Sequence, residues 1–388
     1  MMPFVLAFVV CGVLNWGYAY TLGFALLVVG LPLMRRRKIW VNFIAGPAFW
    51  LLAAFGLSYA ALDGFSFDII QNALLLPLAA YAIGWCGVES AEAGPEAARD
   101  GILAIAAGFA VHAALNYFIN TGHNRGQLVD FWSGSYWTAT ASGFLNTIAL
   151  SLFVYVLFVE QRRWIKALLL AMLAVCLLYM FQLGNRAQLL ILAAVSLLGG
   201  ALLLGERAGT KTPARVLLGG VFALGLILAC WRFNWLGLAD RLAESNLFVR
   251  LAEQSGISRS NSERAALFAA GLRNLYRHPF GGQKAQYYFH NMWLDIGRVS
   301  GLIPMLLMLL YNALTLGHAV RLFRTRRLDT GARYVILCTY LGVLMNFCFE
   351  PVLEGLVGFF LAFCMVNGIT ESLSRSRRTA GEDERREA

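Results

Sequence analysis

Charged side chains are scarce in this sequence, making up only 14% of its 388 residues, whereas 59% of the residues are hydrophobic. The mean hydropathy of +0.62 lies far outside the range of soluble globular domains. This scarcity excludes a soluble protein with a charged surface around an apolar core. We therefore predict an all-α polytopic membrane protein, with one transmembrane domain over residues 1–388.

Cysteine pairs at metal-binding or redox spacing are also missing. The seven cysteines lie within or at the ends of predicted spans and show no CxxC spacing, which excludes a disulfide or zinc framework. No DxD-type carboxylate pair lies in a predicted external loop, so we predict neither a metal ion nor a cofactor. The N-terminal hydrophobic run has no basic residues before it and no clear cleavage site, and we interpret it as a retained anchor.

The charge that is present has one dominant sign and a clear pattern. The net charge of +10 comes from short basic clusters between hydrophobic runs, which is the pattern that membrane topology produces. No basic surface with regularly interleaved aromatic residues accompanies these clusters, so we predict no nucleic-acid partner. Counting spans from either end places every cluster on one side, which we interpret as the cytoplasmic side, together with both termini. The clusters are at 35–38, 162–166, 207–215, 321–327 and 375–378.

Hydrophobic runs of about 20 residues predict about twelve membrane-spanning helices. Residues 1–34 are too long for one span and predict a hairpin of two. The other spans are predicted at 39–60, 67–87, 101–120, 141–160, 165–183, 187–204, 216–232, 299–318, 334–349 and 352–369. Residues 233–298 then form the main external loop and residues 371–388 a cytoplasmic tail. A second external loop, at 121–140, contains His123, Arg125 and Asp130.

The stretch 260–311 places polar and aromatic residues beside a run that enters the bilayer. Ser260 and Glu263 fit a helix-capping box, and the apolar residues after them lie at helical spacing, which predicts a short amphipathic helix on the membrane. Pro279 and the glycines at 281–282 end this helix and turn the chain back. Pro304 is a candidate kink in the next span. The apolar stripe of the surface helix comprises Leu267, Phe268, Leu272 and Leu275.

Three polar side chains stand near membrane depth in this topology. Arg186 lies in the tight turn 184–186, Arg264 in the surface helix and His290 at the start of the next span. One interpretation is interfacial, with arginines anchoring lipid phosphates and the histidine ending a helix. The other is chemical, because a guanidinium group binds phosphate oxygens bidentately and an imidazole accepts a proton near neutral pH. The residue types alone leave both interpretations open.

Two segments of the chain resemble the bacterial O-antigen ligases and O-antigen polymerases. The first is HPFGG at 278–282, followed by HNMWLD at 290–295 and GLIP at 301–304. It is similar to the proline-glycine turn, the HN-x-x-L stretch and the Gly-Leu helix start of that family. The second is GNRA at 184–187, which looks like the short turn that carries an arginine in the family. The hydrophobic layout is similar over nearly the whole chain.

This resemblance implies a fold of the GT-C type in a bacterial inner membrane, with short amphipathic helices in the periplasmic loop. It implies a metal-independent, inverting glycosyltransferase that moves a glycan from undecaprenyl diphosphate to an acceptor hydroxyl on the periplasmic face. We expect an O-antigen ligase acting on lipid A-core, because one modest external segment suits a single bulky acceptor. Alternatives are a polymerase of O-antigen or exopolysaccharide repeats, which extends a growing glycan, and a protein-glycosylating relative. A transporter or flippase of lipid-linked glycans is the rival from another class.

The resemblance also implies roles for the candidate site residues. His290 is the expected general base or acceptor-orienting group, and Arg186 and Arg264 are expected to bind the diphosphate of the donor. His278, beside Pro279, is expected to be a helix-end residue.

Other candidates follow from position along the chain. Glu350 and Glu354 flank the predicted external turn between the last two spans, where each is a candidate for substrate binding or for helix capping. Asp295 and Arg298 lie three residues apart on one helical face, which predicts a local ion pair. Candidates for binding acceptor phosphates or anionic sugars are Arg250, Arg259, Arg273 and Arg277.

Overall fold

The structure is a computed structural model that describes residues 42–89, 91, 93–121, 128–206, 245–247, 249, 254–285, 287–326 and 328–387. These residues are helical almost throughout, so the predicted all-α architecture is confirmed. The predicted spans at 1–34 and 216–232 lie outside the described residues, and the total of about twelve spans stays a prediction. His123, Arg125 and Arg250, and the side chain of Arg259, also lie outside them.

Twelve helices make up the described part of the chain. Seven of them, α2 to α6, α9 and the part of α12 over Val357–Ser376, are long and apolar enough to cross a membrane, and α1 is a shorter apolar helix. The helices are α1 (Pro47–Leu62), α2 (Phe67–Glu89), α3 (Gly94–Ile119), α4 (Ala139–Val159), α5 (Arg163–Leu183), α6 (Arg186–Glu206), α7 (Gln254–Arg277), α8 (Met292–Ser300), α9 (Leu302–Arg324), α10 (Thr330–Phe347), α11 (Val352–Gly355) and α12 (Val357–Glu387).

The segment around the predicted surface helix differs from expectation in three ways. The capping box at Ser260 is wrong, because α7 begins at Gln254 and Ser260 lies inside the helix. The predicted span 299–318 is divided at Gly301, so that α8 precedes a span that runs from residue 302 to residue 324. Pro304 lies in the first turn of α9, where its missing N–H breaks no intrahelical bond, and it is therefore no kink site.

The last predicted span also begins later than expected. Residues 352–355 form the separate short helix α11, and the chain turns again before α12 starts at Val357. At its other end the span continues to Ser376, so Glu371, which the sequence places in the tail, is buried within it.

Two glycines allow α2 and α12 to pack with their backbones in contact. A Cβ atom at Gly84 would collide with the carbonyl oxygen of Met365, and one at Gly368 would collide with that of Tyr81. In a membrane, no hydrophobic effect drives helices together, because lipid is as apolar as their side chains. Close van der Waals packing of this kind therefore contributes much of the stability of a helix pair. This pair forms the centre of the described bundle.

The external loop at 121–140 contains a small hairpin that the sequence does not predict. Residues Leu128–Val129 pair antiparallel with Tyr136–Trp137. Asp130, in the hairpin, lies 2.6 Å from Nε2 of His112 on α3, and both side chains are buried. Burial by itself would raise the pKa of Asp130, but hydrogen bonds from His112 and from the backbone of Ser133 lower it to about 2. His112 therefore attaches the hairpin to α3.

The two ends of the bundle differ in chemistry. At one end, ion pairs join the helices: Arg99 with Asp329 at 3.2 Å, Arg162 with Asp100 at 3.0 Å, and Arg333 with Glu206. At the other end lie the turn 184–186, the loop 283–291 and Glu350, which together we call the site end. Since consecutive spans run in opposite directions, the described basic clusters gather away from the site end, as the topology predicts.

The turn at 278–282 packs against the junction of α8 and α9. The amide of Leu302 donates to the carbonyl of Pro279 at 2.7 Å, and the amide of Gly282 donates to that of Val299 at 2.8 Å. Gly301 has φ +87° and ψ −171°, a conformation that is essentially restricted to glycine. A Cβ atom there would collide with the Pro279 carbonyl oxygen and lie 2.6 Å from the carbonyl carbon of Phe280. The two motif segments therefore depend on each other's backbone.

We expect Gly301→Ala to lower the free energy of unfolding by about 2 kcal/mol or more, because the side chain meets both a forbidden backbone angle and a backbone collision. Thermal unfolding of the purified protein in lipid nanodiscs measures the change. Gly317→Ala is the matched control, since Gly317 is helical in α9 with open space around it. An equal unfolding temperature for the two variants would contradict this account of the turn.

Candidate functional site

His290 is held in a strained backbone conformation at the site end. Its φ of +53° lies in the left-handed region, which residues with side chains rarely adopt. The carboxylate of Asp295 accepts hydrogen bonds from the amides of Phe289 at 2.8 Å and Asn291 at 3.2 Å, on either side of the histidine. Asn291 also caps α8, accepting from the amide of Leu294 at 3.1 Å. Strain that its surroundings impose in this way is common at functional sites.

The imidazole of His290 faces the carboxylate of Glu350. Nδ1 of the histidine is buried and lies 3.9 Å from Oε2 of Glu350, too far for a hydrogen bond but close enough for an ion pair. The Glu350 side chain is 5% exposed and that of His290 is 40% exposed. A carboxylate near Nδ1 stabilises the positive charge that an imidazole ring gains when it accepts a proton. The exposed edge of the ring is left for a substrate.

Arg298 is fully buried directly behind the loop that carries His290. Its Nη1 donates to the carbonyls of Gln283 at 3.1 Å and Lys284 at 2.9 Å. Its Nε lies 3.4 Å from Asp295, so the predicted local ion pair is present, and Nη2 bonds to Glu354. The guanidinium group thus connects the loop 283–290, α8 and α11.

The same guanidinium group also lies against an aromatic ring. The Arg298 Cζ atom is 5.2 Å from the ring centroid of Tyr288, two residues before His290. Burial raises the pKa of Asp295 and of Glu354, and the positive charge of Arg298 acts against this rise. Glu354 is therefore an ion-pair partner of Arg298, whereas Glu350 is the carboxylate beside His290.

Arg186 opens α6 directly after a tight turn. Gly184 ends α5 with φ +62°, and the side chain of Asn185 is buried and accepts from the amide of Ala187 at 3.1 Å. Arg186 itself is partly exposed, and no ion-pair partner for it is found among the residues that the structure describes. The turn therefore presents a guanidinium group that is free to bind a ligand.

A chain of polar side chains connects this turn with Glu350. Gln188, on the first turn of α6, donates from Nε2 to Oγ1 of Thr147 at 3.0 Å. The same oxygen accepts from Nδ2 of Asn346 at 2.9 Å, and the carbonyl of Asn346 accepts from the amide of Glu350 at 3.0 Å. Arg186, Glu350 and His290 thus lie at the same end of the bundle.

Of the four candidate arginines in α7, the three whose side chains are described, Arg264, Arg273 and Arg277, are not equivalent. α7 packs on α8 through Gly271, where a Cβ atom would lie 2.9 Å from Leu294 Cδ1. Arg264 is partly buried and lies seven residues earlier on the same face, about 10 Å along the helix axis. Arg273 and Arg277 are exposed and make no described contact with His290 or Glu350.

The predicted apolar stripe of α7 divides between two directions. Leu275 is buried against α8, close to Gly297. Phe268 and Leu272 are 49% and 50% exposed, one turn apart on an outward face. An exposed apolar face beside apolar spans agrees with the predicted position of this helix at the membrane surface.

His290, Arg186 and Glu350 are predicted from the sequence as candidate site residues, but most of the contacts around them are not. Glu354 pairs with Arg298 across 56 residues of sequence, and no periodic pattern signals such a contact. Thr147 and Asn346 are single polar residues inside apolar helices. Their rarity in a membrane span is the one signal that pointed to them.

Comparison with known proteins adds no relative to this chain. No family profile matches the sequence, and no curated protein matches it significantly. The motif residues and their arrangement in the structure are therefore the observations that bear on function.

We expect Arg298→Ala to lower the free energy of unfolding by about 3–5 kcal/mol, because it leaves buried carboxylates without their counter-charge. Arg298→Lys restores the charge but not the fork of donors, and we expect an intermediate loss. Arg326→Ala removes an exposed arginine and is expected to change the value by less than about 0.5 kcal/mol. Thermal and denaturant unfolding in nanodiscs measure all three. Equal stability of the Arg298 and Arg326 variants would show that Arg298 does not stabilise the connection between the loop 283–290, α8 and α11.

Proposed function

We propose that this protein is an inner-membrane glycosyltransferase of the O-antigen ligase type, which transfers a glycan from undecaprenyl diphosphate to a lipid A-core hydroxyl on the periplasmic face. The observation that carries the proposal is the pairing of the strained, half-exposed His290 with the buried Glu350, at the same end of the bundle as the Arg186 turn. His290 and Arg186 lie in the two segments that resemble the family, whereas Glu350 lies outside them.

The reaction needs a proton acceptor and a site for the leaving group. The acceptor hydroxyl attacks the anomeric carbon of the donor, a new C–O bond forms, and the bond to the diphosphate breaks with inversion. The hydroxyl proton passes to the exposed edge of His290, and Glu350 stabilises the imidazolium that results. Undecaprenyl diphosphate leaves with the electron pair.

Arginine side chains supply the positive charge that this leaving group requires. The diphosphate gains negative charge as the glycosidic bond breaks, and preorganised cations that face this charge lower the barrier. Arg186 has no ion pair of its own among the described residues, which favours a ligand over a structural role. Arg264 is the second proposed contact, from the face of α7 that packs on α8.

Other members of the same reaction class use the same chemistry. A polymerase would transfer to the terminal sugar of another lipid-linked repeat, and a deletion phenotype in the source cell separates the two, since loss of a ligase leaves unattached polymer and loss of a polymerase leaves single repeats. A flippase would move the donor without forming a glycosidic bond.

We expect His290→Asn to reduce glycan transfer by about 10²-fold or more, because asparagine also tolerates the left-handed backbone but accepts no proton. Transfer is measured with purified protein in lipid, a polyprenyl-diphosphate glycan and candidate acceptors. His278→Asn is the matched control, since His278 lies at the end of α7, away from Glu350, and should keep nearly full activity. Full activity of His290→Asn, or translocation without a new glycosidic bond, would overturn the proposal.

We expect Arg186→Lys to reduce transfer by about 10-fold or more, because a lysine ammonium group does not reproduce the bidentate contact with phosphate oxygens. Arg163→Lys, an exposed arginine at the opposite end of the α5–α6 hairpin, is the control that should leave the rate unchanged. Inhibition by added inorganic diphosphate should weaken in the Arg186 variant only. Equal rates and equal inhibition for both variants would remove Arg186 from the site.

A further inference from the structure

A cavity lies at the site end of the bundle, and its wall includes Glu354, the ion-pair partner of Arg298. Its volume is about 250 Å³, and it lies between the end of α1, the first turns of α2, the loop 283–290 and α11. Tyr288, two residues before His290, and Glu354, four residues after Glu350, form part of its wall. The cavity is smaller than an ordinary pocket for a drug-sized ligand, which suits a single ring.

The charges in the cavity wall are largely paired with one another. Asp63 forms an ion pair with Lys284, and Glu354 forms one with the buried Arg298. Within the described residues, no group of three or more His, Cys, Asp or Glu side chains is arranged to hold a metal ion. A wall that is rich in polar atoms but low in net charge favours a neutral polar ligand over an ion.

Two polar side chains in the wall remain available for a ligand. Asp68 and Asn72 lie one turn apart at the start of α2, and neither has a hydrogen-bond partner among the described residues. Their carboxylate and amide groups accept from and donate to neighbouring hydroxyls. The lining also contains apolar or aromatic side chains, from Ile69, Leu353 and Tyr288. This combination fits a pyranose ring, which has hydroxyl groups at its edge and apolar C–H faces.

We propose that this cavity is a binding site for one neutral hexose ring, held at its hydroxyl edge by Asp68 and Asn72 and on its face by Tyr288. Because Lys284 and Tyr288, in the loop that carries His290, line the cavity, we assign the hexose to the acceptor glycan. That assignment to the acceptor rests on the proposed function, whereas sugar binding itself is independent of transfer.

Saturation-transfer NMR of the full chain in nanodiscs tests the site directly, with methyl glycosides of neutral hexoses and of N-acetylhexosamines as probes. We expect saturable transfer to ring protons in the wild type, and binding about tenfold weaker in Asp68→Asn and in Asn72→Leu, since each loses one polar contact. Glu96→Gln is the matched control, because Glu96 is also an exposed acid in a first helical turn, on α3 at the opposite end. Thermal unfolding checks that the variants remain folded.

The outcomes separate this inference from the proposed function. Binding that weakens in both cavity variants but not in Glu96→Gln supports the site. No saturable signal in the wild type, equal binding in all variants, or binding of glucosamine or glucuronate in place of the neutral probes would overturn it. Sugar binding without glycan transfer would remove the proposed function and leave the site, and transfer that is unaffected by the cavity variants would remove the acceptor assignment.

Discussion

A guanidinium group that is removed from water needs a partner for its N–H groups, and Arg298 finds these partners on three parts of the chain: the carbonyls of residues 283–284, Asp295 in α8 and Glu354 in α11. The cost of desolvating this charge is offset only when all of these groups are in place together. The loop that carries His290 is therefore held in place by the guanidinium group of Arg298, which belongs to α8.

The membrane bundle gives this loop a fixed position relative to the Arg186 turn. Hydrogen bonds through Gln188, Thr147 and Asn346 join α6, α4 and α10 at the site end. Polar residues inside a membrane are costly and usually have a function. Ion pairs join helices at the opposite end. A rigid frame of this kind suits the proposed reaction between two bulky lipid-linked substrates, because it holds the proposed proton acceptor, His290, and the proposed phosphate-binding residue, Arg186, at one end of the bundle.

Much of the fold is readable from the sequence, because a span must present about 20 apolar residues whatever its neighbours are. Span boundaries were less predictable where a break depends on packing: Gly301 separates α8 from α9 because the turn at 279–280 occupies the space beside it. The start of α7 at Gln254 was missed because Ser260 and Glu263 match a capping pattern that also occurs inside helices. The hairpin at 128–137 is too short for a periodic signal.

The sequence by itself determined that the chain is a helical membrane protein and that His290, Arg186 and Glu350 belong to stretches unlike the rest, and it predicts that the basic clusters share one side. Composition and local spacing carry that information, since both act on residues close together along the chain. Only the tertiary structure decided that Glu350 faces His290, that Arg298 pairs with Glu354 as well as Asp295, and that Asp68 and Asn72 line a cavity beside them. These contacts join residues far apart in sequence, and the packing of the helices, which no local pattern encodes, brings them together.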